Sequence, residues 1–344
     1  MAAYLVANSY LGIVPEATRG TLPTGSTPVP VYIPVTSPQV TPNQTFLRDE
    51  ALRGSPVMTY DQVQGVRHDE YDAKFYLFAD TFGNLVKSVL GGTDTVTGTG
   101  PYTHNIKLLN NAATGSQPQS YSIQDFDGAN YFTLSGAQAD QLSISFGAEA
   151  AAESTIKFMA NPYVSGTAPV SGSVFAANAL STSATHMIPA WDTTISIAST
   201  TYTYIQSGEL TIARKTAPIF TMGAQAPYQN FAGPIEVTGK FTAVINSASD
   251  TWSTTAGGQY ALIRTPQAMV ITFTDPNDST GSPSTPESIA FTMTSTQFHT
   301  VKRTRGKAYT EVEVEFTANA DTTDATTGYS PIQATIINAA ATPY

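Results

Sequence analysis

Residues 47–92, LRDEALRGSPVMTYDQVQGVRHDEYDAKFYLFADTFGNLVKSVLGG, hold the reading that decides the fold. A polar entry gives way to an alternating run, in which Ala73, Phe75 and Leu77 point to one side and Lys74, Tyr76 and Phe78 to the other. That period of two is a β-strand with both faces open to cover. From Phe82 the period changes: Leu85, Val86, Val89 and Leu90 recur at helical spacing, with Asp80 or Thr81 as N-cap and Gly91 as the stop. A short helix leaning on a sheet is the expected unit.

The rest of the chain fits a mainly β protein. Charged residues are 12% of the 344, and Thr, Ser, Gly, Ala and aromatic residues dominate, a mixture that favours strands and turns. With no cysteine, neither a disulfide scaffold nor a thiol chemistry is available. No apolar run reaches the roughly 18–20 residues that span a bilayer, and the N-terminus lacks the pattern of a signal peptide, so a soluble protein with no membrane partner is expected. The formal charge of −10 argues against a tight grip on nucleic acid, because a binder neutralises phosphates with Lys and Arg.

In chain order, residues 1–45 are rich in Pro, Thr, Ser and Gly and read as an extended N-terminal arm, with Val31, Tyr32 and Ile33 as short apolar pieces. Residues 46–165 form a first β unit and 166–195, low in charge and rich in small residues, a linker. Residues 196–344 form a second unit that repeats the first. Val237, Gly239, Phe241 and Ala243 alternate as Ala73, Phe75 and Leu77 do; Met269, Ile271 and Phe273 answer the run from Tyr102 to Leu108; and PESIAF at Pro286 answers PQSYSI at Pro118. A second short helix is expected near Tyr260 to Arg264. The fold class is two tandem β-barrel or sandwich units, each flanked by a short helix.

The strictest alternation lies in 298–318. Glu311, Glu313 and Glu315 share one face and Val312, Val314 and Phe316 the other. The acidic face reads as solvated, as the wall of a lumen, or as a pairing surface between subunits. Lys302, Arg303, Arg305 and Lys307 cluster at the turn before it, where contact between subunits or rings is favoured over contact with DNA. His68, Glu70 and Asp72 share a strand face and make three metal ligands geometrically possible, yet the four histidines are scattered and an acidic rim or a subunit contact is the favoured reading.

No G-x-S-x-G, HExxH, P-loop or dinucleotide fingerprint is present. A two-carboxylate glycosidase escapes such a search but nothing supports one, and no catalytic, cofactor or metal site is assigned. A secreted carbohydrate-binding or adhesive β module is the alternative reading.

The runs ALRGSP (51–56), QGVRHDEYDAKFY (64–76), YTHNIKLL (102–109) and PQSYSIQDFDG (118–128) resemble the major tail tube proteins of long-tailed, siphovirus-type bacteriophages, over about Phe46 to the C-terminus. The resemblance implies a non-enzymatic virion subunit that closes into rings, stacks into a tube and passes genomic DNA without specific binding. It also implies tape-measure and tail-tip proteins as partners, and a monomer held in the host cytoplasm before assembly. Single-unit relatives close with six, so a tandem chain is expected to form trimeric, pseudo-sixfold rings. Arg48, Asp49, Glu50 and Arg53, with Val31, Tyr32 and Ile33 of the arm, are the further candidate contacts between subunits or rings.

Overall fold

The computed structural model describes residues 6–111, 115–177, 179–180, 186–245, 265–276, 286–305 and 308–344. Alternating sequence becomes strand throughout. The first half holds β1 (Tyr10–Pro15), β2 (Val31–Ile33), β3 (Ser37–Asp49), β4 (Asp61–Tyr76), helix α1 (Phe82–Leu90), β5 (Thr95–Thr97), β6 (Tyr102–Lys107), β7 (Tyr121–Phe126), β8 (Tyr131–Gly147), β9 (Glu153–Ala160) and β10 (Val164–Gly166). The second holds β11 (Thr194–Ile197), β12 (Thr200–Tyr202), β13 (Ile205–Ala213), β14 (Ala217–Ile219), β15 (Gln229–Phe231), β16 (Glu236–Val244), β17 (Gln267–Thr274), β18 (Ser288–Thr304), β19 (Glu311–Ala318) and β20 (Gln333–Asn338).

Eight strands pair antiparallel in the order β3–β4–β9–β8–β13–β16–β19–β18. Two smaller sheets cover the apolar side of this one: β2–β1–β7 joined to the first half of β8, and β12–β11–β17 joined to the first half of β18 and continued by β20 and β6. β8 and β18, 17 residues each, serve both layers. Each is bulged where it changes partners, which lets one strand bend from one sheet into the next. Between the layers Tyr71, Phe75, Leu142, Ile144 and Phe158 of the first half and Phe241, Phe273, Phe291, Val314 and Phe316 of the second share one core.

α1 seals that core. Its stripe Leu85, Val86, Val89 and Leu90 is buried, and Phe82 packs on Phe75 of one half and Phe291 of the other, with ring centres 6.3 and 6.2 Å apart. Gly91 ends the helix at φ 74°, a left-handed conformation that costs glycine nothing. The orphan carbonyls of Val89 and Leu90 accept from the buried Arg214 guanidinium at 2.8 and 3.1 Å. Burial pushes this guanidinium down to about 10, so it remains a cation at the negative end of the helix at neutral pH.

The structure differs from the sequence reading at its start. Residues 6–45 are no free arm: β1 is buried between β2 and β7, and Leu11, Ile13 and Ile33 enter the core. Glu16, at the end of β1, is buried and accepts from Ser120 Oγ, Ser122 Oγ and the amides of Gly20 and Gly136 at 2.6–2.8 Å. Prolines break the local pattern without preventing short strands, so a Pro-rich composition does not by itself report freedom. Within the expected linker, Phe175, Ile188 and Ala190 are buried and β11 begins at Thr194. The expected second helix lies outside the described residues.

Pairing also moves the repeat into a different register. The bulge between Tyr121 and Ile123, whose partners are Ala137 and Leu134, recurs between Gln267 and Met269, whose partners are Thr296 and Met293. The first pair shifts by 146 positions and the second by 159. The bulge at Ala139/Gln141 recurs at Phe298/Thr300, again 159 on. So β17 answers β7, not β6; β18 answers β8; β19 answers β9; and Phe241, rather than Val237, answers Ala73. Period-two alternation matches any strand to any other in phase, and only bulges and partners tell them apart. In the same scheme β11 and β12 answer β1 and β2, and β13 answers β3.

One buried carboxyl carries a testable pH dependence. Asp125 lies in the core with Tyr71 Oη 3.5 Å away, and burial, reinforced by the charge of Asp127, pushes its pKa up to about 7. The folded protein therefore holds a proton that the unfolded chain, near 3.9, has already released, and stability falls as pH rises from about 4 to about 7. Asp125→Asn is expected to raise the melting temperature at pH 8 and flatten its slope across that window; an unchanged slope in thermal melts contradicts the assignment.

Candidate functional site

The candidate site is a surface, the outer face of the eight-stranded sheet. Opposite residues in a ladder share a face, so the register collects Glu70, Asp72 and Lys74 of β4, Glu153 and Lys157 of β9, Glu209 of β13, Glu236 and Lys240 of β16, Glu311, Glu313 and Glu315 of β19, and Lys302 of β18. Between them stand small polar residues, Ser143, Ser145, Thr155, Thr211, Thr238 and Thr242. The face thus holds eight carboxylates against four lysines, while its reverse is the apolar core.

The charges are interleaved. Lys74 Nζ lies 2.5 Å from Glu153, and Lys240 Nζ lies 3.4 Å from Glu209. Glu315 stands opposite Lys240, and Glu313 opposite Lys302. Exposed pairs like these add about 0–1 kcal/mol each, so they shape the potential of the face rather than hold the fold. Asp72 is partly buried, which pushes its carboxyl up; Lys157 opposite pulls it back down, and Glu70 and Asp140 push it up again. At the middle of the sheet Ser143 Oγ and Thr211 Oγ1 meet at 3.2 Å across the β8–β13 seam. The arrangement can present a polar, acid-rich face, with two shallow hollows beside Glu209 and Lys240.

The sequence-selected residues fall in four places. Glu311, Glu313 and Glu315 lie on the polar face as the alternation requires, with Glu311 the most buried of the three. Lys302 and Arg303 are neighbours at the end of β18, so Lys302 joins the polar face and Arg303 points to the opposite one; Arg305 lies just past the strand, and Lys307 lies outside the described residues. Arg48, Asp49, Glu50 and Arg53 sit at the far end of the β3–β4 hairpin, where Asp49 and Arg53 pair and Arg53 lies 4.8 Å from the Tyr60 ring centre. Val31, Tyr32 and Ile33 pair with β1 of the same chain; Tyr32 packs edge-on against Tyr10 and its hydroxyl accepts from the Ala176 amide at 2.8 Å.

His68 lies 3.7 Å from Glu70, which also accepts from Asn43 Nδ2 at 2.8 Å. Among the described residues no group of three His, Cys, Asp or Glu is disposed to hold a metal ion, and no helix is long and apolar enough to cross a membrane.

Composition missed the most unusual surface. β4 pairs with β9 only from Asp69 onward, so residues 44–68 of the β3–β4 hairpin extend past the sheet as a two-stranded ribbon. Its tip exposes Phe46, Leu47, Leu52, Val57, Met58 and Val63, with Leu52 fully exposed. The signal was present in ALRGSPVM, a loop carrying more apolar residues than a solvated turn needs.

Residues 6–318, both halves of the repeat, match the family model described as phage tail tube protein. No curated protein matches the chain. A matched span that takes in the whole eight-stranded sheet agrees with a mainly β, self-assembling subunit, and the chain accordingly belongs to the phage tail tube protein family, a structural component of the virion tail.

Proposed function

We propose that three copies close head to tail into a pseudo-sixfold ring, that rings stack into the tube of a siphovirus-type tail, and that genomic DNA is ejected through the bore. The observation that carries this reading is the eight-stranded sheet: one face polar and acid-rich, the other buried, and its two end strands unlike each other. Such a sheet lines a barrel when copies join end to end.

The number of copies follows from width. Strands spaced about 4.8 Å and tilted by up to about 40°, with about 5 Å of side chain on each wall, leave a bore of roughly 14–22 Å for two copies and roughly 27–38 Å for three. A duplex is about 20 Å across, so three copies are the fewest that pass it freely. The acid-rich wall then works by refusing phosphates: Glu313 and Glu315 face the DNA while Glu311 is buried beside them, and the interleaved lysines keep the field from becoming strong enough to oppose entry.

The hairpin of residues 44–68, with Arg48, Asp49, Glu50 and Arg53 about its apolar tip, latches one ring to the next. It takes the place, as a ring contact, of Val31, Tyr32 and Ile33, which pair with β1 of the same chain. Tape-measure and tail-tip proteins template the first ring, and the subunit waits as a monomer in the host cytoplasm until they do. Cryo-electron microscopy of the purified protein after concentration or mild warming tests the reading. Hollow tubes built of threefold rings are expected; sixfold rings of whole chains, or a persistent monomer that binds or cleaves glycans, refute it.

A further inference from the structure

We infer that the ring closes by strand addition between β3 of one copy and residues 300–305, the distal part of β18 with the residue that follows it, of the next, with Thr41 opposite Lys302 and Val40 opposite Arg303. The inference rests on the ring reading above and names its seam. Its template lies inside the chain. The sheet is two four-strand sets, β3–β4–β9–β8 and β13–β16–β19–β18, joined where β8 pairs with β13.

In the repeat, Gln141 to Phe146 of β8 shift by 159 onto residues 300–305, and Ser207 to Ala213 of β13 shift by 170 onto Ser37 to Asn43. The internal pairs Ser143–Thr211 and Ile144–Leu210 therefore become Lys302–Thr41 and Arg303–Val40 between copies. Among the described residues, β3 pairs with β4 alone, and Thr300–Thr304 pair with β19 alone, so each end strand has its outer side turned to where the next copy would lie.

Backbone chemistry selects this partner over a second β3. The bonds Ala148 N–H to Gln206 O and Arg214 N–H to Asp140 O show that even-numbered residues of β13 bond to β8. By the repeat, Pro38, Val40 and Pro42 aim their backbone groups outward. Two of the three have no amide hydrogen, so this edge offers three carbonyls and one donor. Two such edges facing each other would leave acceptors against acceptors, which disfavours a twofold contact. The outward amides of Val301, Arg303 and Arg305 supply the donors that β3 lacks, and a contact between unlike edges is the head-to-tail kind that closes rings. Charge agrees: the basic end of β18 would lie beside β3, whose other neighbour carries Glu70 and Asp72.

The chain has no cysteine, so paired substitutions report on a clean background. Ser143→Cys with Thr211→Cys serves as the positive control, since their side-chain oxygens already meet at 3.2 Å; it is expected to bridge within one chain. Thr41→Cys with Lys302→Cys is expected to bridge between chains in assembled tubes, giving a closed covalent trimer on a non-reducing gel. A mixture of the two single variants is expected to give dimers. Thr41→Cys with Thr300→Cys, two residues out of register on the same face, is expected to bridge at least tenfold less. Tubes in which Thr41→Cys with Lys302→Cys stays unbridged, or in which the off-register pair wins, overturn this seam and leave the tube intact. Absence of tubes from the unmodified protein removes the tube reading, and the seam with it.

Discussion

Replacing residues 47–63 with Asn-Gly is expected to leave a folded subunit that no longer forms tubes. The removed ribbon contributes little to its own chain: Leu52, Val57, Met58 and Leu47 are exposed, and the Asp49–Arg53 pair and the Arg53–Tyr60 contact are local to the hairpin. A melting temperature within a few degrees of the parent is expected, as for surface changes generally. In a stack the same four side chains would be covered, and at about 1.5–3 kcal/mol each they supply on the order of 6–12 kcal/mol per subunit before ordering costs. Losing half the lower figure weakens association more than 100-fold per subunit. Electron microscopy should then find single rings or monomers at concentrations where the parent gives tubes. Tubes of ordinary length would remove the latch from the hairpin.

The second large effect concerns the wall. Glu209→Lys, Glu313→Lys and Glu315→Lys together reverse three charges and turn an excess of four carboxylates per subunit into an excess of two lysines. Assembly is expected to persist, because these side chains lie on the polar face and their pairs are worth about 1 kcal/mol or less. Passage is not. Lysines repeated around every ring would meet phosphates within the screening length, and each neutralised phosphate adds a salt-dependent attraction. Infectivity of particles carrying the variant is expected to fall at least tenfold. Isolated variant tubes should retain duplex DNA at about 50 mM salt and release it at about 500 mM, where screening is several-fold shorter. Equal infectivity with no retained DNA would place this face away from the bore.

These expectations depend on the residues in different ways. The glutamates at 311, 313 and 315 were legible as one face because strict alternation leaves a strand no other choice. Helix α1 was legible for the same reason, at a different period, down to its glycine stop. The lysines that temper the wall were not, because Lys240, Lys302 and Lys157 become neighbours of the acids only through sheet order, which no local pattern encodes. Arg214 gave no hint that it would close a helix more than a hundred residues earlier. The N-terminal prolines misled, since β1 is held by long-range pairing and by Glu16, whose four partners lie both beside it and far along the chain.

What the amino-acid order determined by itself was local: strand period, helix stripe, and an acidic and cysteine-free composition. Tertiary structure alone decided which strands answer each other, which strands end the eight-stranded sheet, and which hairpin extends past it. The physical reason is that side-chain alternation has a period of two residues whatever the partner. It specifies faces, whereas partners are chosen by bulges and by the packing of a core shared between segments far apart in the chain.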